Sequence, residues 1–182
     1  KYKAIGGTAI VMDVNTSEII SMVSLPDFDP NNPPNPNDKA RFNRASLGVY
    51  EFGSVLKVFN AAMALDSGVV TLDEKIDSSE LKHGNKIYRD DHPQDGPLNL
   101  FEVLAHSSNV ASGRIALRVG SERRKEFLER IGFMDPLQIE LPERGRTILP
   151  NRWSETGLIT GSFGYGVSVT PVHIITAISA MV

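Results

Sequence analysis

Ser54 and Lys57 lie three residues apart in the stretch "YEFGSVLKVF" (residues 50–59), among Val55, Leu56, Val58 and Phe59. On a helix that spacing puts both side chains on nearly the same face. Burial disfavours a charged ammonium, so a lysine in such company is pushed below its usual pKa of about 10.4, towards the range of a general base. A neutral amine beside a hydroxyl makes a serine nucleophilic without histidine. The structural alternative is that Ser54, following Gly53, caps a helix while Lys57 snorkels past its neighbours to water. The stretch alone leaves both readings open. Chance supplies about one Ser-x-x-Lys in a chain of this composition. The second one, Ser79-Glu80-Leu81-Lys82, lies in a charged, turn-rich segment with no apolar helix behind it and is read as accidental.

A second constellation is "HSSNVASG" (106–113). Ser107 and Asn109 are two apart, which on a helix would send them to opposite sides. They converge on one site only if the chain turns there, and Ser and Asn favour such turns. A capping cluster for the following helix is the simpler explanation of these residues taken alone.

The elements that must carry these residues can be read from pattern. "GTAIVMDV" (7–14) and "EIISMVSL" (18–25), separated by Asn15, Thr16 and Ser17, predict a β-hairpin. The proline- and asparagine-rich stretch 26–38 reads as a surface loop. From Ser54 to Leu65 only Lys57 and Asn60 are polar after the serine, which predicts a helix buried nearly all round, ended by Gly68. Residues 73–97 read as an elaborate loop. Helices are expected over 99–105, 109–119 and 121–131, the last two separated by Gly120 and the third closed by Gly132. After a proline-containing stretch (136–153), Gly157, Gly161, Gly164 and Gly166 mark backbone that bends or is closely approached. Thr170-Pro171 opens a last helix. The fold class is α+β and helix-rich, with one N-terminal hairpin (7–25) and a helical part from 40 to 182.

Composition narrows the function. The 182 residues suit one domain, and 41% hydrophobic with 23% charged residues is ordinary globular chemistry. A net charge of -3 with no basic stripe argues against nucleic acid as a partner. The absence of cysteine excludes disulfides and thiolate metal sites. His83, His92, His106 and His173 show no paired ligand spacing, and His92 beside Asp90 and Asp91 reads as solvated loop, so no metal or cofactor is expected. No apolar run approaches a membrane span, and no targeting segment is visible. The chain opens at Lys1 and stops at Val182 inside an expected helix, which suggests a piece of something longer.

Taken together, the motifs resemble the transpeptidase domain of class B penicillin-binding proteins over nearly the whole chain. "GGTAIVMDVNTSEIISMVSLPDFDPNN" is similar to that family's opening hairpin and the loop after it, and "FNRASLGVYEFGSVLKVF" resembles its nucleophile segment. "LNLFEVLAHSSNVA" resembles the helix leading to its second motif, and "FGYGVSVTPVHIITAISAMV" its Gly-x-Gly, Thr-Pro and following helix. Ser-x-x-Lys followed by a Ser-x-Asn element belongs to the signature of serine β-lactamases and penicillin-binding proteins. The resemblance implies that Ser54 is acylated, Lys57 is its base, Ser107 relays a proton, and Asn109 holds Lys57 and the substrate amide. Phe52 stands where proline is common and Val55 where threonine is common. No Lys-Thr-Gly occurs anywhere, and the family pattern would place it beyond Val182, on strands of an antiparallel sheet missing here.

The implied activity is cross-linking of peptidoglycan stem peptides, with β-lactams as substrate mimics and other cell-wall or division proteins as partners. The implied location is the extracytoplasmic face of the bacterial inner membrane, reached through an N-terminal anchor outside this chain. Alternatives are a serine β-lactamase or carboxypeptidase, and a non-catalytic sensor or scaffold. These 182 residues alone are expected to be weak or inactive, and to self-associate through the uncovered sheet edge.

Overall fold

The computed structural model describes residues 3–182. The opening hairpin pairs β1 (Gly7–Met12) with β2 (Ile19–Leu25), Gly7 opposite Leu25 and Met12 opposite Ile19, with a register shift between Val11 and Met12. The first strand ends earlier than the hydrophobic run predicts because Asp13 turns the chain. Its carboxylate accepts the N–H groups of Asn15 (2.8 Å) and Thr16 (3.2 Å), a local bond that competes with the ladder. Val11, Ile20, Val23 and Leu25 of this hairpin remain exposed.

Two compact units divide the chain. The first comprises the residues up to Tyr50 together with Glu129–Ile148 and Ser168–Val182. Besides the hairpin it contains the two-residue strand β6 (Ser168–Val169) and the last helix, α5 (Pro171–Ser179). Thr170 caps α5 by accepting the N–H of His173, and Pro171 occupies its first turn, as the sequence predicts. Phe133, Val169, Val172 and Ala177 form its buried interior.

The second unit comprises Glu51–Leu128 and Leu149–Val167, and the short strand β3 (Tyr50–Glu51) lies at the boundary. A single 3-10 turn (Gly53–Val55) leads into α1 (Leu56–Asp66). This helix buries Leu56, Lys57, Phe59, Asn60, Ala61, Met63 and Ala64, yet Val58 (42%) and Leu65 (39%) remain accessible. The expectation of a helix buried all round is therefore corrected: one flank of α1 faces outward. Segment 73–97 is less irregular than its composition suggests. It holds a hairpin of β4 (Leu81–His83) and β5 (Lys86–Tyr88), turned at Gly84. Only Leu81 of its six strand residues is buried, too short an alternation to register as a pattern.

Next come α2 (Leu100–Ala105), closed at its start by a reciprocal Asn99–Glu102 capping box, and α3 (Asn109–Arg130). The latter is two helical runs broken at Gly120 (φ +78°), which matches the expected division there. Helix α4 (Glu155–Ser162) was obscured in the sequence by Gly157 and Gly161. Ser154 caps it, and Gly161 is small for a reason: a Cβ there would lie 2.8 Å from Nη2 of Arg124 and 3.0 Å from the Trp153 ring. Among the described residues no helix is long and apolar enough to cross a membrane.

Candidate active site

Gly53 adopts φ +55°, a conformation that L side chains resist, and so turns the chain immediately before Ser54. Neither the 3-10 turn nor α1 has a side-chain cap at its start. The Ser54 hydroxyl is therefore not used as a helix cap. It lies 3.1 Å from Nζ of Lys57 and receives a hydrogen bond from Oγ of Ser107 (3.0 Å).

Lys57 is 3% exposed and keeps its amine inside the fold. Nζ donates to the carbonyl oxygen of Ser107 (2.5 Å) and to Oγ of Ser107 (2.7 Å) as well as to Ser54. Three oxygens thus occupy the three donors of an ammonium, which is what a lysine needs where water cannot reach it. Burial holds its pKa below the ordinary lysine value, and the carboxylates of Asp90 and Asp91 partly oppose that shift.

Ser107 reaches this position because the chain turns between α2 and α3, as convergence of the motif requires. Its φ is +55°, unusual for a residue with a Cβ and a mark of local strain. Ser108 takes the capping role: it is buried, and its hydroxyl accepts the N–H of Ala111 (3.0 Å). The capping reading thus fits Ser108, while Ser107 is left to Lys57 and Ser54. Asn109 is half-buried at the start of α3. Its side chain makes no hydrogen bond to Lys57, whose donors are taken by the two serines.

Asp90 was missed by sequence reasoning. One carboxylate oxygen accepts the Ser108 hydroxyl (2.5 Å), and the other accepts the N–H groups of Asn109 (2.6 Å) and Val110 (2.9 Å). An acidic group there satisfies free donors at the start of α3 and complements its dipole. The signal was out of reach because the capping residue lies 18 to 20 positions upstream, in a segment that reads as solvated loop. The other Ser-x-x-Lys has no such construction: Lys82 is exposed on β4 and pairs with Glu80 at 2.9 Å. No cluster of potential metal ligands occurs among the described residues.

A hydroxyl touching both a buried amine and a second hydroxyl can lose its proton to the amine and pass protons through the second hydroxyl. That is the equipment of a serine acyltransferase served by lysine. The family model of the penicillin-binding protein transpeptidase domain matches residues 7–182, and the chain belongs to that family. It is 37% identical over 177 residues to the probable peptidoglycan D,D-transpeptidase FtsI of Caulobacter vibrioides, covering 97% of this chain and 30% of that protein. It is 33% identical over 181 residues to peptidoglycan D,D-transpeptidase FtsI of Escherichia coli K12, covering 94% and 29%. The chain thus spans about a third of the length of these relatives. Among solved structures, a peptidoglycan glycosyltransferase from Burkholderia ambifaria superposes with a TM-score of 0.85 at 27% identity, covering 98% of this chain and 53% of that one. The transpeptidase domain of Burkholderia pseudomallei penicillin-binding protein 3 gives 0.82 at 27% identity, covering 96% and 49%. The mixed helix-and-strand fold implied by the motifs is the fold of these domains.

Proposed function

We propose that this chain is the nucleophile-bearing part of a peptidoglycan D,D-transpeptidase that cross-links stem peptides through a serine acyl-enzyme. The observation that carries the proposal is the triangle at Lys57: a buried amine within 3.1 Å of the Ser54 hydroxyl and 2.7 Å of the Ser107 hydroxyl, which themselves lie 3.0 Å apart.

In this reading the Ser54 oxygen attacks the carbonyl carbon of the penultimate D-alanine, and its proton passes to the neutral amine of Lys57. The N–H of Ser54, in the first turn of a helix, supplies one donor to the oxyanion. The bond to the terminal D-alanine breaks as its nitrogen takes a proton by way of the Ser107 hydroxyl. An amine from a neighbouring stem peptide then attacks the ester, and Ser54 regains a proton as the new amide forms. In this reading Asn109, whose side-chain amide makes no hydrogen bond to Lys57, holds the substrate amide. β-Lactams acylate the same oxygen. The substrate lies outside the cytoplasm, so the protein works at the extracytoplasmic face of the inner membrane, held by an anchor and acting with other cell-wall or division proteins. The exposed apolar hairpin suits contact with a second copy when these 182 residues stand alone.

The test is labelling of the full-length gene product with a fluorescent penicillin. Label is expected on Ser54 and absent from S54A. Label surviving that substitution overturns the assignment, and a label mapped to Ser79 moves it to the other Ser-x-x-Lys. Catalytic turnover of the penicillin would identify a hydrolase instead of a transpeptidase.

A further inference from the structure

The segment Phe163–Gly166 follows α4 and takes no direct part in the chemistry described above, yet it contacts residues next in the chain to both halves of the site. Gly164 (φ +99°) lies against Gly53 so closely that a Cβ would fall 2.1 Å from the Gly53 carbonyl oxygen and 2.4 Å from its Cα. Two residues on, the N–H of Gly166 donates to Oε1 of Glu51 at 2.6 Å. Phe163 points the other way. It is buried with Leu81, Val110 and Ile159, and its ring meets Tyr88 edge-on, centroids 6.4 Å apart. Val110 is the residue after Asn109, and Tyr88 lies two before the Asp90 that anchors them both.

We infer that Phe163–Gly166 is a positioning brace that sets the nucleophile turn against the Ser107–Asn109 element, with the Glu51 carboxylate as its clasp. The inference deepens, and rests on, the acyl-enzyme reading above. On one side the brace is fixed by packing of Phe163. On the other it holds the backbone directly before Ser54 at two points, Gly53 by contact and Glu51 by a hydrogen bond. Glu51 is exposed, so its bond adds little to global stability. The placement of a nucleophile is far more sensitive, since a shift of about 1 Å can cost on the order of 10² in rate. The two roles therefore separate experimentally.

The experiment compares E51A and E51Q in the full-length gene product. Glutamine keeps a carbonyl oxygen for the Gly166 N–H, whereas alanine removes the acceptor. Two quantities are read: hydrogen exchange of the unliganded protein over residues 50–58 and 162–168, and the acylation rate constant for a fluorescent penicillin, resolved from its non-covalent binding constant. E51A should exchange at least about fivefold faster in both segments and acylate about tenfold more slowly. Its binding constant should stay within about twofold and its Tm nearly unchanged, while E51Q stays within about threefold of wild type throughout. Exchange unchanged in E51A overturns the brace, whether or not penicillin labels Ser54. Faster exchange with wild-type acylation also overturns it, as does an E51Q as impaired as E51A. Failure of the wild-type protein to label counts against the acyl-enzyme reading instead, and the brace is then judged by exchange alone. G164A supplies a second probe: if it folds, acylation should fall by about 10², because the new methyl displaces Gly53.

Discussion

Nζ of Lys57 lies nearer to Ser107 than to Ser54: 2.5 Å from the Ser107 carbonyl and 2.7 Å from its hydroxyl, against 3.1 Å from Oγ of Ser54. One residue delivers two oxygens to one amine because its backbone is held at φ +55°. The conformation that strains Ser107 is thus the one that brings both of its oxygens to Lys57.

This relationship separates chemistry from stability at position 107. Both S107A and S107G lose the hydroxyl that the proposed mechanism uses as a relay, and each should lower acylation by about 10² to 10⁴, the usual range for loss of a proton-transfer group. Glycine tolerates positive φ, so S107G should be about 1 kcal/mol more stable than S107A. Penicillin labelling rates and thermal denaturation check the pair. Equal stabilities would show that the left-handed backbone is not held in solution.

Lys57, as the proposed base, should give the site its pH dependence. Its pKa in the fold lies below 10.5 because burial disfavours the ammonium. Acylation should therefore rise with pH as the amine becomes neutral, with a midpoint below that of a free lysine. The unfolded chain binds the proton more tightly, so stability should also increase with pH from the folded value up to about 10.5 and level off above it. K57R keeps the charge but holds its proton far more tightly than lysine, and should be inactive at neutral pH. A flat acylation profile would remove the base role.

Asp90 couples the anchoring of Asn109 to the titration of Lys57. Its carboxylate holds three donors at the start of α3 and favours the charged form of the lysine. D90N keeps the shape, loses the negative charge and turns one acceptor into a donor facing Ser108 or the helix N–H groups. The acylation midpoint should move to lower pH, because one of the two carboxylates that raise the lysine pKa is gone. The maximal rate should fall as Asn109 loses its anchor. A midpoint unmoved in D90N would show that Asp90 acts on the loop alone.

Much of this site was legible because its signals are local. Ser54 and Lys57 share a helix face by spacing alone, and the turn at Ser107–Asn109 follows from residues that resist helix interiors. The hairpin, the division at Gly120 and the Thr170-Pro171 start of α5 are also written in consecutive residues. What escaped depends on distant partners. Asp90 caps a helix from another part of the chain, so no capping pattern along the sequence records it. Helix α4 hides because it carries two glycines, and Gly161 answers to the neighbouring Arg124 and Trp153 rather than to its own backbone. The outward flank of α1, where Val58 is exposed, cannot be seen in a composition that is apolar on every side.

Arg124 is the clearest case of a group that the fold tolerates rather than needs. It is 3% exposed, its guanidinium lies over the Trp153 ring at 4.4 Å, and Nε and Nη1 have no hydrogen-bond partner. Burial alone lowers its pKa to about 10, with no acid opposing the shift. Contact with the aromatic face returns part of the cost, on the order of 1–2 kcal/mol for a desolvated pair. Two buried donors without partners outweigh that gain. Methionine has similar reach and no charge, so R124M should raise the unfolding free energy by about 1–3 kcal/mol. It should leave penicillin labelling at Ser54 unchanged, because Arg124 makes no hydrogen bond to Ser54, Lys57 or Ser107. Denaturant unfolding of wild type and R124M provides the measurement. A less stable R124M would mean that the ring contact outweighs the unpaired donors and that Arg124 belongs to the stabilising core.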